Sequence, residues 1–292
     1  MTHSLKSENV QTVTQTHTIS RFERGQITSV YEDSVVVEEP LEIWVKQYSA
    51  GDSSDIIHLS TTMRTPGQDI ALVKGWLHSL NVINLDDITD IKFTGRETLK
   101  QQTSNRILVT LKPGISGAWE RVQHNDFTHS SCGVCGQQSI EWLLEDLSPI
   151  SPCNLFDISA ASLHALPEAL QSMQSAFSET GGCHGVGLFD ASMTILDCQE
   201  DVGRHNAMDK LVGNNLDRLP GAFGVVLSGR VSFEMVQKAA RAGINIIVAV
   251  GAPTSLAIEL CREFDIALVG FVKSDRYNVY TGAERFIGAT EK

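Results

Sequence analysis

The sequence has few of the features of a secreted, membrane-bound or nucleic-acid-binding protein. Six cysteines in 292 residues are too few and too scattered for a disulfide framework, so we expect free thiols in a reducing compartment. No stretch approaches the roughly 18 apolar residues of a membrane span, and no signal-peptide pattern opens the chain. A net charge of -12 argues against nonspecific binding to nucleic acid. We expect a cytoplasmic protein that binds neither nucleic acid nor membranes.

Metal-binding signatures are also scarce. The chain has a single Cys-x-x-Cys, at Cys132 and Cys135, whereas a structural zinc site would ordinarily add a second pair of ligands at similarly short spacing. A zinc deaminase would carry His-x-Glu, and no histidine of this chain is followed two places later by glutamate. The sequence therefore predicts no metal site.

The distribution of polar and apolar residues divides the first part of the chain in two. Residues 1–20 are polar and lack an apolar stripe, which predicts a disordered tail. Residues 21–130 contain short β-branched runs and one amphipathic segment, residues 69–80, with Asp69 as the expected N-cap. This part is predicted to be a small α+β subdomain.

Residues 131–292 show a different pattern, in which apolar runs alternate with amphipathic ones. The apolar runs cover residues 224–229, 244–250 and 264–272, and the segments between them have helical periodicity. Such alternation is typical of βαβ units around a largely parallel sheet that is buried on both faces. The sequence thus predicts an α/β domain after a boundary near residue 130.

Cys132 and Cys135 are the sharpest chemical feature of the sequence. They lie on a glycine-flanked loop before an amphipathic run, so we expect the two thiols at the N-terminus of a helix. The helix dipole and the free N–H groups there favour the thiolate, which is the form that attacks sulfur. From the residues alone, the pair is compatible with redox exchange, with half of a zinc site or with sulfur relay.

A polar cluster at residues 200–210 is the second candidate site. Arg204 and His205 are expected near the start of a helix, where they can meet an anion. One face of that helix is expected to carry three further polar residues: Asn206, Asp209 and Lys210. The alternative interpretation is a capped, solvated helix start.

The loops that follow the predicted parallel strands form the third candidate site. Ligands of open α/β sheets bind at the carboxyl ends of the strands, and Ser228 and Arg230 follow the first strand there. Small residues let N–H groups approach phosphate, and Arg230 can add a bidentate contact. After the third strand comes a set of residues suited to a purine nucleotide: Phe271, Val272, Lys273, Ser274, Asp275 and Arg276.

Seven sequence motifs follow one another between residues 63 and 282. They are MRTPG (63–67), SSCGVCG (130–136), GGCHGVGLFD (181–190), EDVGRHNAMDK (200–210), SGRVSFEMVQKA (228–239), APTSLAIEL (252–260) and GFVKSDRYNVYTG (270–282). Together they resemble the formate dehydrogenase accessory sulfurtransferases, the FdhD/NarQ family, over nearly all of residues 21–288. Cys183 departs from the family pattern, which has a residue without a thiol before His184.

The resemblance implies a function that the residues alone leave open. A cysteine desulfurase would hand its persulfide sulfur to Cys132, with Cys135 as relay or resolving partner. This sulfurtransferase would then pass the sulfur to the molybdenum of a bis(molybdopterin guanine dinucleotide) cofactor, its bound substrate, before that cofactor enters apo formate dehydrogenase, the client. The family's cofactor-binding stretch corresponds to residues 271–276, and GDP-like nucleotides would mimic the cofactor.

The family resemblance also implies the fold and leaves rival functions to be weighed. The larger domain would be a three-layer α/β/α sandwich resembling the cytidine deaminase fold, with a smaller N-terminal subdomain. A chaperone that only holds the cofactor is the main rival, and a thioredoxin-like oxidoreductase is less favoured because the Cys-x-x-Cys does not follow a strand in a βαβ unit at the chain start. A homodimer is expected as the commonest closed assembly.

Overall fold

The structure, a computed structural model, describes residues 12–48, 54–94, 105–119, 122, 147 and 158–286, and these residues form three β-sheets. The strands are β1 Thr14–Glu23, β2 Gln26–Val36, β3 Glu39–Tyr48, β4 Ser54–Arg64, β5 Ile88–Phe93, β6 Arg106–Leu111, β7 His184–Phe189, β8 Ile195–Asp201, β9 Gly224–Leu227, β10 Ile246–Ala249, β11 Ala267–Gly270 and β12 Asn278–Thr281. The α-helices are α1 Asp69–Leu80, α2 Ala160–Met173, α3 Ser175–Thr180, α4 Arg204–Asn214, α5 Phe233–Arg241 and α6 Ser255–Glu263. The expected mixed α/β class is confirmed.

The largest sheet has six strands in the order β12-β11-β10-β9-β7-β8. Strands β9, β10 and β11 are parallel, with α5 and α6 as the connections between them, while β7, β8 and β12 run antiparallel to their neighbours. The predicted strands in residues 224–229, 244–250 and 264–272 are therefore confirmed. Their carboxyl ends meet at one edge of the sheet, where the sequence predicts a ligand site.

The six-stranded sheet is buried between two layers of helices. In β10, Ile247 and Ala249 pack with α4, α5 and α6, whereas Ile246 and Val248 pack with α2 on the opposite face. Alternate side chains of a strand point to opposite faces, so a run that is apolar at every position needs a cover on both sides. The result is the expected three-layer α/β/α arrangement.

The second sheet has four strands in the order β4-β3-β6-β5, and α1 packs on it around Leu72 and Leu77. Helix α1 has the bounds that the sequence predicts, but Asp69 is not its N-cap. The N-cap is Gln68, in the left-handed region at φ 56° and without a side-chain cap. The Asp69 carboxylate instead accepts from Arg64 at 3.0 and 2.9 Å, and both side chains are fully buried. A bidentate partner of opposite charge outweighs a capping bond in this position.

Strands β1 and β2 form a separate two-stranded antiparallel hairpin. Its two-residue turn has positive φ at both Arg24 (51°) and Gly25 (83°), which matches the twist of the flanking strands. Residues 14–20 were expected in a disordered tail, yet they form the first part of β1. The polar residues of this segment give no strand signal in the sequence. The segment still forms a strand, because pairing with β2 satisfies its backbone hydrogen-bonding groups without an apolar stripe.

Helices α1 and α4 approach each other closely enough to exclude any side chain at two glycines. A Cβ added to Gly75 would lie 1.9 Å from the Asp209 carbonyl oxygen, and one added to Gly213 would lie 1.9 Å from the Ala71 carbonyl oxygen. Helix α1 therefore has the four-stranded sheet on one side and α4, from the six-stranded sheet, on the other. This α1–α4 interface joins the two sheets.

We expect Gly75→Ala to lower stability by about 1–3 kcal/mol, the usual cost of overpacking, because the new methyl group meets the Asp209 carbonyl. Helix propensity alone predicts the opposite sign, since alanine is favoured over glycine inside a helix by about 1 kcal/mol. The measurement is the urea midpoint, with Lys74→Ala in the same helix as the control. A Gly75→Ala protein as stable as the wild type would show that the helices do not touch there.

Candidate functional site

The carboxyl ends of β9, β10 and β11 are joined by a row of backbone hydrogen bonds between the loops that follow them. The Gly251 N–H donates to the Gly229 carbonyl at 3.1 Å, and the Phe271 N–H donates to the Gly251 carbonyl at 3.2 Å. A Cβ on Gly251 would lie 2.6 Å from the Gly229 oxygen, so only glycine allows this spacing. Ser228 is fixed here by donation from the Gly185 N–H to its hydroxyl at 2.9 Å.

Arg204 and His205 lie at the start of α4, as the sequence predicts, and His184 lies beside them at the start of β7. The His205 Nδ1 lies 3.0 Å from a Glu234 carboxylate oxygen, and its Nε2 lies 3.3 Å from the Ser232 hydroxyl. The Arg204 Nε is buried and has no hydrogen-bond partner among the residues described. A guanidinium with an unused donor at a helix start is well placed for an anion.

The lowered pKa values of His184 and His205 show that positively charged groups lie close to both rings. Burial lowers the pKa of His184, and the guanidinium groups of Arg204 and Arg230 lower it further. Burial also lowers the pKa of His205 to about 3, with further contributions from Arg204 and Lys238. Both imidazoles are therefore neutral at pH 7, and the positive charge beside them comes from the two arginines. The structure brings Arg204, His205 and Arg230 to one edge of the sheet, as the sequence predicts.

The acidic and basic residues that follow Arg204 and His205 do not line this site. Lys210 is 2% exposed, and its Nζ lies 2.7 Å from the Asp201 carboxylate and donates to the Thr65 carbonyl at 2.7 Å. Asp209 is equally buried and pairs with Lys238 at 2.6 Å. Asn206, Asp209 and Lys210 share one face of α4, as expected, but the side chains of Asp209 and Lys210 are buried in ion pairs and do not face a ligand. That side of α4 packs against α1, and the charges are paired in the interior.

Asp201 is the centre of this buried network. One carboxylate oxygen accepts from the Thr65 N–H at 3.0 Å, and the other accepts from the Gly203 N–H at 2.8 Å and the Asn206 amide at 3.2 Å. Asn206 also donates to the Met63 carbonyl at 2.7 Å. Asn206 thus fixes the chain before α1, and the network sets where α4 begins and hence where Arg204 and His205 lie.

Residues 271–276 begin at the same edge but leave it. Phe271 has a positive φ of 54° and is 41% exposed, so the fold holds an aromatic ring in solvent on a strained backbone. The Lys273 carbonyl accepts from the His164 ring at the start of α2, on the opposite side of the sheet from α4. Val272 is buried in the core, and the other members of the expected binding set are exposed: Lys273, Ser274, Asp275 and Arg276. The predicted cofactor residues therefore divide between the two sides of the sheet.

Cys132 and Cys135 lie outside the described residues, as does Cys153. The three cysteines that the structure describes have the properties of unreactive thiols. Burial raises the pKa of Cys183 above its usual value and raises those of Cys198 and Cys261 to about 12. Cys183, at 3.9 Å from the Thr65 hydroxyl, belongs to the interior and not to a thiolate site.

The described residues lack both a metal-binding cluster and a membrane-spanning helix. In that part of the chain, no group of three or more His, Cys, Asp or Glu side chains is placed to hold a metal ion. Within the same ranges, no helix combines the length and the apolar character needed to cross a membrane.

Sequence reasoning missed the partners that fix the candidate residues. Glu234 and Ser232 bind His205 from the start of α5, about thirty positions away in the chain. Thr65 lies in the MRTPG motif, and no local pattern ties it to Asp201. The signal that could have suggested Thr65 is its place in the MRTPG motif, directly before the turn residues Pro66 and Gly67 that lead into α1.

Three comparisons relate the chain to known proteins. The model of the FdhD/NarQ family matches residues 36–287. A protein named sulfur carrier protein FdhD from Mycolicibacterium paratuberculosis is 40% identical and covers 94% of this chain and 98% of its own length, and one of the same name from Sulfolobus acidocaldarius is 39% identical over 91% and 96%. The chain also resembles the crystal structure of a candidate formate dehydrogenase accessory protein from Desulfotalea psychrophila. The match covers 94% of this chain and 100% of that one, with a TM-score of 0.69 and 22% sequence identity, so the two share the fold.

The low pKa of His205 predicts how stability depends on pH. In the native protein the His205 imidazole has a pKa of about 3 and stays neutral, whereas in the unfolded chain it takes up a proton at its ordinary pKa of 6.5. Acidification below pH 6.5 therefore favours unfolding. From pH 7 to pH 5, the free energy of unfolding of the wild type should therefore fall by about 2 kcal/mol more than that of His205→Gln. Urea unfolding at each pH measures this difference.

An NMR titration of the His205 ring provides the direct control. The native resonance should not titrate above pH 5, whereas the same ring in urea-unfolded protein should titrate near 6.5. A native midpoint near 6.5 would contradict the neutral, buried state.

Proposed function

The chain belongs to the FdhD/NarQ family, and we propose that it is a sulfur carrier that delivers persulfide sulfur to the molybdenum cofactor of formate dehydrogenase. The observation that carries this proposal is the match of the family model to residues 36–287, together with relatives near 40% identity that are named sulfur carriers. The relatives' names support sulfur transport in general. The donor, the cofactor and the residue that holds the sulfur are parts of our proposal.

We assign the persulfide to Cys132, with Cys135 as relay or resolving partner. In the loading step, the Cys132 thiolate attacks the terminal sulfur of a cysteine desulfurase persulfide. The donor S–S bond breaks, a new S–S bond forms on Cys132, and the donor cysteine leaves as a thiolate, so the step has no net oxidation or reduction. A thiol is needed that ionises near neutral pH.

The described cysteines support this assignment by contrast. Burial raises the pKa of Cys183, Cys198 and Cys261, which keeps them protonated at neutral pH. A protonated thiol does not attack a persulfide, and the buried thiols of Cys183 and Cys261 do not reach a donor protein either. The carrier role therefore falls on a cysteine outside this set, and the Cys-x-x-Cys pair is the one with glycines on both sides.

The edge of the six-stranded sheet is the proposed site for the cofactor's nucleotide parts. Arg204 and Arg230 supply positive charge beside two neutral imidazoles, which suits phosphate oxygens. Phe271 offers an exposed aromatic ring for stacking, and the Asp275 carboxylate can accept from the N1–H and N2–H donors of guanine. A dinucleotide with two guanine ends could use both sides of this edge.

The carrier assignment predicts a sulfur adduct on Cys132. After incubation with a cysteine desulfurase and cysteine, mass spectrometry of the wild type should show a mass increase of one sulfur atom at Cys132, and Cys132→Ala should lose it while still binding cofactor. Cys198→Ala is the matched control, because this half-buried thiol, with its pKa raised to about 12, should not affect loading. Unchanged client activation by Cys132→Ala would instead favour a chaperone that only holds the cofactor.

The cofactor site predicts a preference for guanine. We expect Asp275→Ala to reduce the preference for GDP over ADP about tenfold or more, since two hydrogen bonds to a charged group are lost. Isothermal titration with both nucleotides measures it. Arg230→Ala should weaken both nucleotides alike, because it removes a phosphate contact, and so serves as the control. An unchanged GDP preference in Asp275→Ala would remove that residue from base recognition.

A further inference from the structure

A cavity lies at the amino ends of β9 and β10, at the opposite edge of the six-stranded sheet from the candidate site. Its volume is about 530 Å³, within the range of about 300–1,000 Å³ that is usual for small-molecule sites. Phe223 and Asn245, the residues directly before the two strands, both line it. About 13 Å of β9 separates the cavity from the edge where Arg204 and Arg230 lie, so the two sites are distinct.

One wall of the cavity is apolar. Leu216, Leu219 and Phe223 belong to the connection between α4 and β9, and all three line the cavity. Leu219 is buried, whereas Leu216 and Phe223 are half-buried. Such a wall binds an aliphatic or aromatic group, because the contact removes apolar surface of both partners from water.

His78 and Arg241 form a polar part of the lining. The His78 Nε2, in the last turn of α1, lies 3.1 Å from the Arg241 carbonyl oxygen at the end of α5. Because a carbonyl only accepts, Nε2 carries the proton, and the neutral ring keeps Nδ1 as an acceptor. Burial lowers the pKa of His78 and the Arg241 guanidinium lowers it further, so a neutral imidazole lies beside a positive charge.

Asn245 adds an amide to this lining. The residue is 6% exposed, and its Oδ1 is buried without a hydrogen-bond partner among the described residues. Buried amide oxygens are normally bonded, because desolvating one without a donor is unfavourable. A half-turn of the amide exchanges Oδ1 with Nδ2 and keeps the shape of the side chain, so the oxygen can face a donor in the cavity. The unsatisfied oxygen therefore indicates a ligand with an N–H donor.

We propose that the cavity binds an α-amino acid with an apolar side chain. Its carboxylate lies against the Arg241 guanidinium, and its ammonium group donates to the Asn245 Oδ1 and the His78 Nδ1. Its side chain packs on the apolar wall between α4 and β9. Because the ligand contacts α1 as well as the six-stranded sheet, its binding stabilises the folded chain. The proposal is independent of sulfur transfer.

Titration calorimetry of the full chain tests the ligand class with L-leucine, its deamino analogue isocaproate and its decarboxylated analogue isoamylamine. L-leucine should bind with a dissociation constant below about 1 mM, and each analogue should bind at least about tenfold more weakly, since it leaves a polar group of the site unpaired. L-leucine should also raise the thermal midpoint of unfolding. Neither binding nor a shifted midpoint with L-leucine or L-phenylalanine at up to about 10 mM would overturn the proposal. Isocaproate that binds as tightly as L-leucine would also overturn it.

Two variants separate the polar contacts from effects on folding. Arg241→Gln should weaken L-leucine and isocaproate at least about tenfold and leave isoamylamine unchanged, because only the carboxylate contact is lost. Arg218→Gln, at an exposed arginine outside the cavity lining, is the matched control and should bind all three like the wild type. Loss of all three compounds alike in Arg241→Gln would contradict the assigned carboxylate contact.

Asn245→Leu should weaken L-leucine at least about tenfold and bind isocaproate no more weakly than the wild type, because only the ammonium contact is lost. The same variant should raise the thermal midpoint of the unliganded protein, since it removes the unsatisfied buried oxygen. Unchanged binding of L-leucine, together with a lowered midpoint, would show that Asn245 has a structural role and would overturn the proposed site.

Discussion

Lys210 and Asp201 form an ion pair in the interior, and the position of the candidate site depends on it. Their side chains are 2% and 0% exposed, and the Lys210 Nζ lies 2.7 Å from the Asp201 carboxylate. The Thr65 backbone binds both side chains, because its N–H donates to Asp201 and its carbonyl accepts from Lys210. Removing one partner of such a pair typically costs about 3–5 kcal/mol, because the other charge is left buried and alone. Thr65 belongs to the chain before α1, Asp201 ends β8, and Lys210 lies on α4. The pair therefore fixes three segments at once.

The glycines of the α1–α4 interface make this network possible. Since Gly75 and Gly213 let the two helix backbones touch, Thr65 comes within hydrogen-bond distance of Asp201 and Lys210. A second buried pair, Asp209 with Lys238, extends the same interface towards α5. Burial raises the pKa of Asp209 even with Lys238 beside it, so this interior is strongly desolvated. Asp209 and Lys210, which could be taken from the sequence as ligand contacts, thus have a structural role. Their buried ion pairs fix α4 so that Arg204 and His205 lie at the edge of the six-stranded sheet.

The candidate site has two unlike halves. Arg204 and Arg230 provide cationic charge on the α4 side, with two imidazoles whose neutral state leaves room for anionic oxygens. Phe271 and the exposed residues that follow it lie towards α2, where the ring and the carboxylate of Asp275 face solvent. One half suits phosphate and the other a base. The proposed two-ended cofactor would contact both halves, whereas a small metabolite would contact one half only.

The sequence by itself determined the elements that depend on local periodicity and on motifs. It predicted α1 at its observed bounds and the three parallel strands, because apolar spacing reports which faces are covered. Its motifs identified the family, and Arg204, His205 and Arg230 lie together as expected. Tertiary structure alone decided that Asp69 binds Arg64, that Lys210 is buried, and that residues 14–20 form a strand. Each of these outcomes depends on a partner distant in sequence or on the opposite strand, and the desolvation that makes such pairing necessary exists only after the chain has folded.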